Sequence, residues 1–192
     1  FSKILKELVF SGIIGIPHML TANLGYPILH KDRMRTLDLC GGALYDLGVY
    51  PINFTMMIFG HEVIDVYSAC IKNASGVDEQ NSITFKFSGG CMAVMQTTML
   101  CANDRQGIIS GDKGYIVVEN INNPEYAVVY SPEHKEIKRI ARPSQITGYE
   151  YESEACRDAL TKGWIESPYM PHAESERVMR ILPDIRRNWK MR

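Results

Sequence analysis

The chain lacks a surplus of either charge. Its 21 Lys and Arg stand against 22 Asp and Glu, a formal net charge of −1 at pH 7. A sequence-independent grip on nucleic-acid phosphates therefore has no electrostatic footing. Long apolar runs are missing too. Each candidate is broken by Gly, Pro or His before it reaches the roughly 20 residues that a membrane-spanning helix needs, so no membrane partner is expected. Cysteines are few and unpaired in pattern: Cys40, Cys70, Cys91, Cys101 and Cys156 are odd in number, and no two fall as C-x-x-C. That excludes a disulfide framework or a zinc ribbon and points to a reducing, cytoplasmic setting. His18, His30, His61 and His134 are scattered without metal-ligand spacing, and no metal is assigned. His172 follows Pro171 and reads as a capping or surface residue. An initiating Met is also missing; Phe1 opens directly into an amphipathic pattern, as expected of part of a longer protein.

What is present suits one domain with a real core: 192 residues, 45% hydrophobic and 22% charged. Residues 2–9 read as a short helix with Ser2 as a possible N-cap. Residues 13–24 are apolar and β-branched and read as a strand. Residues 26–40, with Pro, His, Lys, Asp and two Arg, read as a long loop of the kind that often carries function. Leu44, Leu47, Ile52, Met56 and Phe59 fall near one stripe, so 43–59 reads as a helix. Pro51 either kinks it or sits in the first turn of a second helical piece.

The period then changes to two. Strands are expected at 63–71, 82–87, 91–99, 107–110, 115–119 and 126–130, with a short one near 136–140. Ser88-Gly89-Gly90 and Asp112-Lys113-Gly114 are tight enough to close hairpins, which implies antiparallel pairing. Helices at 149–162 and at about 172–189 finish the chain, the second bent at Pro183. The predicted fold class is α+β: a large, predominantly antiparallel open sheet with helices on one face. Along 91–100 both faces are mostly apolar or neutral, so the second face is expected to meet another subunit.

The segment Gly41-Gly42-Ala43-Leu44-Tyr45-Asp46-Leu47-Gly48-Val49-Tyr50-Pro51 holds the candidate chemistry. On a helix, Asp46 and Tyr50 lie about one turn apart on one face. A carboxylate and a phenol converging beside flexible backbone suit proton chemistry on a hydroxyl or carbonyl. Spacing alone leaves Asp46 open to a capping or dipole role and Tyr50 to plain packing.

Four stretches in order resemble the C-terminal domain of the Gfo/Idh/MocA oxidoreductases. They are the 41–51 segment; Ser75-Gly76-Val77-Asp78-Glu79; Ile109-Ser110-Gly111-Asp112-Lys113-Gly114-Tyr115-Ile116; and Gly148-Tyr149-Glu150-Tyr151-Glu152 with Glu166-Ser167-Pro168-Tyr169-Met170-Pro171-His172. They span the chain nearly end to end. The resemblance implies the C-terminal fold shared with dihydrodipicolinate reductase and glyceraldehyde-3-phosphate dehydrogenase. It implies one substrate-binding and oligomerisation domain over 1–192, from an NAD(P)-dependent oxidoreductase of a sugar, polyol or vicinal diol. Members bind NAD or NADP through an N-terminal Rossmann domain with a Gly-rich turn, which ends in a Glu-Lys-Pro motif. This sequence has neither motif, so by itself it is expected to be inactive.

The motif match makes Tyr50 and Asp46 the implied catalytic residues. Many members carry His where Tyr50 stands. Tyr50 would exchange the substrate hydroxyl proton. A free phenol titrates near about 10, so it needs a cation, which the family supplies as the Glu-Lys-Pro lysine. Asp46 would orient the substrate or that lysine. Arg35 is a candidate donor to a substrate oxygen or cofactor phosphate, or a solvated loop residue. Gly41 and Gly42 either admit substrate or nicotinamide close to the backbone or simply permit the turn. Tyr26 either lines the pocket or packs. A homo-oligomer through the sheet face is implied. The alternative, from another class, is a non-catalytic binding or scaffold domain that keeps the same fold.

Overall fold

In the computed structural model, residues 1–60 and 62–190 are described. His61, one of the scattered histidines, lies outside them. The opening helix α1 (Ser2–Phe10) buries Leu5, Leu8 and Val9, the apolar positions of its stripe. Ser2 lies inside it and makes no cap; Phe1 holds that position without a side-chain bond. Residues 11–14 turn, so β1 (Pro17–Gly25) starts later than the apolar pattern suggests. The expected long loop contains a short helix α2 (Asp32–Arg35) and a 3-10 turn (Leu37–Leu39). A π-helical segment (Leu44–Gly48) leads into α3 (Val49–Phe59).

Seven strands follow: β2 (Val63–Lys72), β3 (Asp78–Phe87), β4 (Met92–Thr98), β5 (Gly107–Gly111), β6 (Gly114–Val118), β7 (Tyr126–Tyr130) and β8 (Glu136–Ala141). Ser88-Gly89-Gly90 joins β3 to β4 and Asp112-Lys113 joins β5 to β6, both as antiparallel pairs. One eight-stranded sheet results, in the order β2-β3-β4-β1-β5-β6-β7-β8. Its one parallel pair is β1 with β4, joined by the long connection that such a pair needs. Helices α4 (Glu150–Lys162) and α5 (His172–Arg187) end the chain, and Pro183 sits within α5.

Helices α1, α3 and α5 cover one face of the sheet. Phe59 and Phe87 meet edge to face at 5.2 Å there, a geometry favoured by the ring quadrupoles. Val178, Leu182 and Ile185 of α5 are buried, each side chain contributing roughly 1.5–3 kcal/mol. The other face is open: Met19, Tyr67, Ile71 and Met92 are 38–61% exposed. Helix α4 buries no residue at all.

Candidate active site

The double glycine lets the chain thread a narrow gap. A Cβ on Gly41 would fall 2.4 Å from the carbonyl oxygen of Arg33, and one on Gly42 would fall 2.4 Å from Asp78 Oδ1. Gly42 also has a φ of +129°, which L side chains rarely adopt. The turn reading of these glycines thus has a physical basis in the backbone of α2 and the carboxylate of Asp78.

That carboxylate anchors the helix start. The Leu44 amide donates to Asp78 Oδ2 at 2.8 Å, and the Asn81 side-chain amide donates to the same oxygen at 3.0 Å. Thr97 Oγ1 in turn donates to Asn81 Oδ1 at 2.8 Å. All three side chains are buried. An acid placed here satisfies an orphan amide and favours the positive end of the helix dipole. Burial pushes the Asp78 carboxyl above its ordinary value, opposed by the Leu44 and Asn81 hydrogen bonds.

Beyond Leu44 the backbone widens into the π turn. Pro51 stands third in α3 and has no N–H for the carbonyl of Leu47. The wider turn just before it accommodates the gap in the ladder, and such turns often occur at functional sites. Of the two readings of Pro51, the structure takes the first turn of a second piece. Asp46 lies in the π turn and Tyr50 is the second residue of α3.

Asp46 pairs with Arg33. Tyr50 is 47% exposed. Its phenol is pushed up, first by partial burial and then by Tyr149, Asp46, Glu152 and Tyr26. Tyr26 accepts a hydrogen bond from Arg105 Nη1 at 3.2 Å, and that guanidinium lies 5.3 Å from the ring centre. Arg35 points elsewhere: it pairs with Asp32 on the surface, and its carbonyl accepts from the Asn73 side chain. Arg33, two residues earlier, is the arginine that reaches the site.

The first part of the fourth stretch, 148–152, meets Tyr50 as well. The amides of Ile146, Thr147 and Gly148 all donate to the Glu150 carboxylate. Desolvation raises that carboxyl, but the amide donors together outweigh it and hold it at about 2. This folded turn sets the start of α4, and so Tyr149 and Glu152, close enough to act on Tyr50. Three of the four stretches therefore converge. The 109–116 stretch lies apart, its hairpin bound to Ile14 and Ile16 before β1. Among the described residues, no group of three or more His, Cys, Asp or Glu is placed to hold a metal, and no helix is long and apolar enough to cross a membrane.

The family model of the GFO/IDH/MocA C-terminal domain matches residues 3–117. This chain belongs to the Gfo/Idh/MocA family. It is 33% identical over 186 residues to trans-1,2-dihydrobenzene-1,2-diol dehydrogenase of Xenopus laevis, covering 94% of this chain and 56% of that protein. The human protein of that name is 27% identical over 192 residues, with 97% and 58% covered. The chain thus spans little more than half the length of these relatives. The aldose-aldose oxidoreductase of Caulobacter crescentus, solved with glycerol, superposes with a TM-score of 0.85 at 18% identity, covering 97% of this chain and 57% of that one. A 3-ketoreductase of Actinomadura kijaniata, solved with NADP and TDP-benzene, gives 0.82 at 19% identity, covering 97% and 58%. At such identities the likeness shows the fold: this Gfo/Idh/MocA domain has the α+β architecture that its strand pattern predicts.

Proposed function

We propose that this chain is the substrate-binding half of an NAD(P)-dependent oxidoreductase that interconverts a secondary alcohol and its carbonyl on a sugar, polyol or other vicinal diol. The observation that carries the reading is Tyr50, a half-exposed phenol at a helix start anchored from behind, with Asp46 one turn earlier and held by Arg33. The dihydrodiol, aldose and ketone chemistry named for its relatives supports the substrate class.

The residues present fit only the nicotinamide end of NAD(P). Tyr50 presents a hydroxyl on an open surface, whereas no glycine-rich turn stands ready for a pyrophosphate. We assign that part, and the Glu-Lys-Pro lysine, to an N-terminal Rossmann domain outside these 192 residues. When bound, the nicotinamide takes or gives the hydride.

Tyr50 holds, at Oη, the proton that the substrate oxygen gains or loses. In this chain the phenol is raised, so it is protonated at neutral pH and suited to donate to a carbonyl. Taking a proton from an alcohol needs an added cation beside it. Asp46 accepts from a neighbouring hydroxyl, which suits a vicinal diol. Five unpaired cysteines favour a reducing, cytoplasmic setting. The exposed Met19, Tyr67, Ile71 and Met92 favour a homo-oligomer through the open sheet face.

The test is turnover of the complete protein with NAD and NADP on a panel of sugars and diols, beside Tyr50→Phe. The expected result is activity on at least one diol that the substitution nearly abolishes. Wild-type turnover in Tyr50→Phe refutes the role of Tyr50. Diol binding without turnover on any substrate favours the scaffold alternative.

A further inference from the structure

A cleft of about 480 Å³ opens beside the start of the active-site helix, and neither Asp46 nor Tyr50 lines it. Its walls bring together Arg33 and Leu37 from the α2 region, Lys72 from the end of β2, and Met179, Arg186 and Trp189 from the C-terminal helix and the turn after it. This volume lies in the range of small-molecule sites, roughly 300–1,000 Å³.

The polar groups in these walls are almost all donors. Among the described residues, the Lys72 ammonium makes no ion pair. Arg186 donates to Tyr45 Oη at 2.8 Å, with its guanidinium 5.4 Å from that ring; among the described residues it forms no ion pair, and its charge acts on the Asp78 carboxylate. Among the described residues, the buried Trp189 indole N–H has no acceptor. Arg33 is shared with Asp46. Asp78, the one carboxylate in the walls among the described residues, is buried and already accepts from Leu44 and Asn81. Two cations that form no ion pair among the described residues and are only partly offset by Asp78, an unmet N–H, and apolar Leu37 and Met179 form a site short of acceptors. What complements it is an acceptor-rich anion with an apolar body.

The geometry points to a binding site for a small organic anion, a carboxylate or phosphate on an apolar group, separate from the Asp46/Tyr50 surface and coupled to it through Arg33. An anion in the cleft draws on the guanidinium that otherwise holds Asp46. Anion binding stands without the catalytic reading; only the consequence for turnover rests on it.

The test is calorimetric titration of the purified protein at low salt with benzoate, phenyl phosphate and neutral benzyl alcohol. At least one anion is expected to bind at one site, with benzyl alcohol about tenfold weaker or more. The stronger of the two anions identifies the head group. Lys72→Gln and Arg186→Gln should each weaken the anion about tenfold, with circular dichroism unchanged. Asp46→Asn, by releasing Arg33, should tighten it about threefold. Equal binding of the neutral probe, absence of saturable heat with both anions, or unchanged affinity in both cleft variants overturns the site. Unchanged affinity in Asp46→Asn overturns the coupling. Turnover enters none of these readouts, so failure of the catalytic reading and failure of this one remain separate results.

Discussion

On the inner side of the π turn that leads into α3, Asp78, Asn81 and Thr97 are 2–6% exposed and form a continuous hydrogen-bonded chain. On the outer side, Asp46 and Tyr50 face solvent, one in a surface ion pair and the other with 47% of its surface exposed. The same turn of backbone supports both. Buried polar groups must all be satisfied, so the inner side tolerates little change and sets position. Exposed groups carry no such constraint, so the outer side can serve chemistry at little cost to stability.

The sharpest way to break this comparison is on the outer side. In the complete protein, Tyr50→Phe is expected to lower kcat by about 10²–10⁴, the usual range for a proton-transferring group. In this chain the same change should leave the urea unfolding free energy within about 0.5 kcal/mol. A large stability loss would make Tyr50 a packing residue. The next effect lies inside. Asp78→Ala strands the Leu44 amide and the Asn81 side chain, and should cost about 2–4 kcal/mol by urea unfolding. A loss under about 0.5 kcal/mol would show that the buried chain does not anchor the helix.

Gly42→Ala adds a Cβ 2.4 Å from Asp78 Oδ1 at a φ of +129°, and should cost about 2 kcal/mol. A neutral result there would mean that the gap relaxes. The smallest effect is a slope. The Asp78 carboxyl is raised above its ordinary 3.8, so the folded state holds that proton more tightly than the unfolded chain does. Its contribution is fully present below the ordinary value and is lost as pH rises through the raised one. Asp78→Asn, which keeps a neutral side chain at every pH, should therefore gain on the wild type as pH rises. Urea midpoints for the two proteins across acid to neutral pH measure it; a trend in the opposite direction would sink the assignment.

Much of the fold was legible because its signals are local. Alternation along β2 to β8 and the short Gly-bearing turns marked the strands and hairpins, with ends off by a few residues. The stripe of Leu44, Leu47, Ile52, Met56 and Phe59 marked the helix, and all five are buried. The π turn was not legible. It follows from Pro51 together with an anchor 34 residues away at Asp78. The sequence singled out Arg35 in a loop, but α2 turns it toward Asp32 and turns Arg33 toward Asp46. Asp78, Tyr149 and Glu152 lay within stretches that already suggested a family, yet no spacing rule assigns them a part beside Tyr50.

By itself the sequence determined the period of each element and the turns that pair neighbouring strands, because these depend on residues near one another in the chain; four stretches in order along it pointed to the family. Only the tertiary structure decided which carboxylate anchors the helix, which arginine meets Asp46, and that Lys72, Arg186 and Trp189 share a cleft. Those outcomes depend on burial and on contacts between separate elements, from the 13 residues between Arg33 and Asp46 to the more than one hundred between Lys72 and Arg186, which local propensity does not encode.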